Sequence, residues 1–106
     1  MKVNNISNQN FQGFNYSKAG YALTERLKTP KRYFKFDALE ASQYDNPFNI
    51  QITIGKNQNL IGTITDEQGN VVFEKKENVL CGLLNLSPIN FLKGLCEEAN
   101  SLNKAR

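Results

Sequence analysis

Histidine is absent from this chain of 106 residues, and so is tryptophan; cysteine occurs twice, proline three times and methionine once. Without histidine the chain lacks the side chain most used for proton transfer near neutral pH and the commonest metal ligand. A Ser-His or Cys-His nucleophile pair cannot be assembled within it, and two cysteines alone do not make a structural zinc site. No cofactor is expected. The N-terminal stretch Met1 to Phe14 is dominated by Asn, Gln and Ser and lacks the apolar run of a secretory signal, and no later segment approaches a membrane span. These features predict a cytoplasmic protein that does not enter membranes, with export through a polar leader as a competing expectation. Asn5-Ile6-Ser7 and Asn15-Tyr16-Ser17 match the N-glycosylation pattern, which carries little weight without a secretory signal.

What is present is ordinary for a globular domain: hydrophobic residues make up 40% and charged residues 22%. The length supports one core and not two. Residues 1–16 read as a flexible polar leader and 17–106 as a single domain. The formal net charge of +3 permits a polyanionic partner without requiring one. Cys81 and Cys96 stand in apolar surroundings and read as reduced, buried thiols; a disulfide between them and a reactive thiol are the alternatives.

Ala19, Ala22, Leu23, Arg26 and Leu27 follow helical spacing, with Ser17 as a cap and Pro30 as the stop. From Lys31 to Leu39 the period becomes two, which predicts a strand with Phe34 and Phe36 inward and Lys31, Tyr33 and Lys35 outward. Ile50, Ile52 and Ile54 alternate with polar residues, and further strands are expected at Leu60 to Thr65 and Val71 to Lys75. Two short Asn- and Gly-containing loops make these connections hairpins. The Val79 to Leu84 run is either a strand end or a short helix. Ser87 and Pro88 open a final helix whose stripe is Ile89, Leu92, Cys96, Ala99 and Leu102, widened by Phe91 and Leu95. The expected fold is α+β: an antiparallel meander of three to four strands, a C-terminal amphipathic helix packed on one face, and a short N-terminal helix.

The carboxylates suggest no catalytic pair. Glu97 and Glu98 point apart on a helix, and Asp66 and Glu67 sit at a hairpin tip. Gly55-Lys56 lacks the spacing of a phosphate loop. The leading expectation is a non-catalytic protein-interaction module, binding another protein or itself as a homodimer. The first alternative is a single-stranded nucleic-acid-binding domain using Lys31, Tyr33 and Lys35 as its outer face. An enzyme with a composite site is the second.

Overall fold

A computed structural model describes residues 14–105, and the first thirteen positions of the expected leader lie outside the described residues. The chain forms β1 (Phe14–Asn15), α1 (Gly20–Arg26), α2 (Pro30–Ser42), β2 (Asn49–Ile54), a 3-10 turn (Lys56–Gln58), β3 (Leu60–Thr65), β4 (Val71–Lys76), α3 (Val79–Leu83) and α4 (Ile89–Ala105). The fold is α+β, with a four-stranded sheet in the order β1-β2-β3-β4 and α4 packed against it.

The meander β2-β3-β4 forms where alternation places it. Ile50 pairs with Ile64 and Ile64 with Phe73, so these side chains share the inner face; Gln51, Thr63 and Glu74 share the outer one. The stripe of α4 covers the inner face: Leu92, Leu95, Cys96 and Ala99 are buried, and Ile89, Phe91 and Leu102 pack around them. Gly62 allows this close approach, since a Cβ there would overlap the Leu95 side chain. Ser87 Oγ accepts from the Ile89 amide at 3.4 Å, and Pro88 sits where its missing N–H is no loss.

The fourth strand is not the segment 31–39. That segment belongs to α2, so the outward strand face of Lys31, Tyr33 and Lys35 does not exist. Thr29 is extended and its hydroxyl accepts from the Arg32 amide at 3.2 Å, with Pro30 at the first helical position. Thr29-Pro30 thus opens a helix in the way Ser87-Pro88 does, and Pro30 starts an element rather than ending one. Only Phe36 is buried; Phe34 is 76% exposed. Beneath α2, the buried or half-buried Arg32, Phe36, Leu39 and Gln43 recur at three- and four-residue spacing.

The fourth strand is instead β1, parallel to β2 with Phe14 opposite Ile50. The sheet is therefore mixed. Phe14 is buried and Tyr16 stands against Phe36, so residues 14–16 fold with the domain rather than with the leader. Ser17 does not cap α1. Its amide and hydroxyl both donate to Asn15 Oδ1, while α1 starts at Gly20 with Ala19 at the N-cap and no side-chain cap bond. Phe36, Ile52 and Leu92 share one core cluster. Among the described residues no helix is long and apolar enough to cross a membrane.

Candidate functional site

The three residues expected to form one binding face are divided by the helix that carries them. Lys31 and Lys35, one turn apart on α2, line a cleft of about 260 Å³ with Thr29, Arg32, Ser87 and Ile89. Tyr33 lines a different cavity, of about 340 Å³, between α1 and α2. The basic side chains and the ring therefore do not form a common platform. Arg32 is also committed elsewhere: its Nη1 donates to the Arg26 carbonyl at 3.0 Å and to Asn85 Oδ1 at 3.3 Å.

The least expected feature of the molecule lies at the C-terminal end of α1. Arg26, on the buried stripe of that helix, is fully enclosed. Its guanidinium makes a two-pronged contact with Glu77, Nη1 to Oε1 at 2.5 Å and Nη2 to Oε2 at 2.7 Å. Nη1 also donates to the Gln58 carbonyl at 3.0 Å, and Nη2 to the Leu86 carbonyl at 2.8 Å. Glu77 is held in turn by the ladder it follows. Its amide donates to the Leu60 carbonyl, its Oε1 accepts from the Leu60 amide at 2.9 Å, and its carbonyl accepts from Asn59 Nδ2 at 2.8 Å. A single planar fork thus ties α1 to the 3-10 turn, the end of β4 and the segment between α3 and α4. Such a pair is costly to desolvate and strongly destabilising to break on one side only.

Fixed on this knot is α3, which shows the opposite inversion. Asn78 caps it, accepting from the Leu80 amide at 2.8 Å. Gly82 faces inward against the 3-10 turn, where a Cβ would overlap the Asn57 carbonyl oxygen and the Asn59 amide nitrogen. With the helix pressed down at its glycine, its large side chains point away from the protein. Leu80 is 57%, Leu83 61% and Leu84 63% exposed, and Val79 and Leu86 are also in water. Asn85, in the left-handed region at φ 49°, turns the chain back, and its Nδ2 donates to the Glu25 carbonyl at 3.3 Å. Directly before α3 runs β4, the last strand of the sheet, whose outer edge pairs with no described residue; Val71 and Val72 on it are exposed.

Two further groups complete the chemical inventory. Cys81 and Cys96 are both free, and burial, with help from the Glu97 charge, pushes the Cys96 thiol up to about 12. Cys96 is therefore an inert core residue, as an apolar-stripe position implies. On α2, burial and the neighbouring Asp37 charge hold the Glu40 carboxyl above the usual range, opposed by a hydrogen bond from the Tyr16 hydroxyl. Among the described residues no group of three or more His, Cys, Asp or Glu side chains is placed to hold a metal ion.

Arg26 could have been singled out from sequence, because an arginine between Leu23 and Leu27 on an apolar stripe needs an anion to be buried. Glu77 carried no such signal, since it ends a run of charged residues in which a solvated face is the natural reading. No protein family, curated protein sequence or solved structure matches this chain.

Proposed function

We propose that the chain is a non-catalytic protein-interaction module whose docking face is α3 with its flanks, Leu86 on one side and the β4 edge on the other. The observation that carries this reading is the aliphatic cluster Val79, Leu80, Leu83, Leu84 and Leu86, turned to water from a helix that is anchored rather than loose. Exposed clusters of this kind mark interaction surfaces in soluble proteins. Rigidity matters as much as apolarity, because a preorganised face loses little conformational entropy on binding.

Magnitudes point to the same combination. Fully burying a leucine is worth roughly 1.5–3 kcal/mol, and these side chains are already partly covered, so four of them supply about 5 kcal/mol. Micromolar affinity requires about 8 kcal/mol. The free edge of β4, contiguous in the chain with α3, offers unpaired backbone groups to a partner strand and supplies what the leucines lack. A second copy of the chain is the simplest occupant, since a two-fold pairs an edge with itself. A cytoplasmic site of action belongs to this reading, supported by two unbonded cysteines.

Sedimentation across a concentration series tests the homodimer. Reversible dimerisation is expected, lost in Leu83→Asp/Leu84→Asp. A wild-type chain that stays monomeric at every concentration removes the homodimer and leaves a different protein as the occupant.

A single-stranded nucleic acid is the weaker reading. The cleft of Lys31, Arg32 and Lys35 favours it. Tyr33 lines another cavity, so the stacking ring that such binding uses is missing beside these cations.

A further inference from the structure

The cavity between α1 and α2 is distinct from the α3 face and has its own chemistry. Its floor is aliphatic and aromatic: Leu23, Leu27 and Phe36, all buried. Two tyrosines, Tyr16 and Tyr33, contribute rings at its edge, each about two-fifths exposed. Tyr16 packs its ring edge-on against Phe36, with ring centroids 5.4 Å apart. Tyr33 and Asp37 stand one turn apart on the same side of α2, and Asp37 completes the lining.

The one charged side chain lining this cavity is the carboxylate of Asp37. Asp37 and Glu40 form no ion pair with any described residue, and Glu40 borders the adjoining hollow that shares Tyr16. Aromatic faces, an apolar floor and an unneutralised carboxylate together select one kind of guest. A neutral apolar molecule would leave the carboxylate unused. An anion would be repelled. A bare metal ion would find no cluster of ligands among the described residues. The volume, about 340 Å³, lies at the small end of ligand pockets.

We infer that this cavity binds a small substituted ammonium ion, its apolar groups on Leu23, Leu27 and Phe36, its charge between Tyr16 and Tyr33 and beside Asp37. Rings attract such cations through their negative faces, most strongly when the cation has shed water.

The test is a titration with choline, followed by two-dimensional amide NMR on the full chain. A parallel titration uses its neutral isostere, in which a quaternary carbon replaces the nitrogen. Saturable shifts are expected with choline, confined to 16–24 and 33–37, and about tenfold weaker binding with the isostere. Asp37→Asn and Tyr33→Leu, both at exposed positions, should weaken choline and leave the isostere unchanged. The inference is overturned by any of three results: no saturable shift with choline, equal affinity for the isostere, or indifference to both substitutions. The α3 docking face is untouched by any of them.

Discussion

Under α4 the molecule is built in the usual way, and at α3 it is built inside out. Beneath the C-terminal helix, Ile50, Ile52, Leu60, Ile64, Leu92 and Leu95 are all excluded from water. A short distance along the chain an arginine and a glutamate are buried while three leucines of α3 and its C-terminal flank are more exposed than covered. The contrast teaches that exposure at α3 is not the residue of poor packing. An under-packed helix would be loose, whereas this one is capped by Asn78, seated on Gly82 and tied down through Asn85 and Leu86. The charged knot supplies rigidity from polar contacts alone, which leaves the aliphatic side chains free to serve another purpose.

The comparison breaks most severely at the knot. Glu77→Ala leaves the Arg26 charge buried without its partner and should cost roughly 3–5 kcal/mol, read from the urea midpoint. The double replacement Arg26→Met/Glu77→Leu should cost less than either Arg26→Met or Glu77→Leu alone, which separates the burden of an orphaned charge from that of lost packing. Leucines sharpen the contrast next. Leu92→Ala should cost about 2–5 kcal/mol through the cavity it leaves. Leu84→Ala, the same chemical change, should shift stability by no more than about 0.5 kcal/mol. Equal losses at the two sites would contradict the inversion. Between these stands Gly82→Ala, where a methyl group forced against the 3-10 turn should cost around 1–3 kcal/mol.

The smallest effect concerns Glu40. Its carboxyl is held above the ordinary value of 4.5, so the folded state binds that proton more tightly than the unfolded one. The stability contributed by the proton is fully present below the ordinary value and is lost as pH rises through the folded-state value. Glu40→Gln should therefore stabilise the protein slightly at neutral pH, and the gain should vanish on acidification. A gain that persists at low pH would contradict the cause assigned to it.

How much of this was legible in the residues differs element by element. The meander and α4 were readable because isoleucine alternation and a seven-residue apolar stripe leave one arrangement that buries them. The 31–39 segment was misleading because Phe34 and Phe36 mimic a strand period, while the helix signal sat outside it in Thr29-Pro30. Phe34 sits on the solvent side of a helix, and one exposed aromatic ring is enough to disguise the period. β1 spans two residues, too few for any periodic signal, and its pairing comes from Phe14 entering the core. Lys31, Tyr33 and Lys35 failed as a common face for the same reason, since a helix separates what a strand would align. The apolar run at 79–84 was visible, yet its exposure was not: nothing local announces that Gly82 faces the protein and the leucines face water.

Site-specific photo-crosslinking in native cell extract tests the central claim most directly. A benzophenone side chain would be placed at position 83, with a control at position 34, where Phe34 is exposed on another surface. The account predicts a discrete protein adduct, a second copy or another chain, from position 83 and none from position 34. No adduct at all, or the same adducts from both positions, would contradict the assignment of α3 as the docking face.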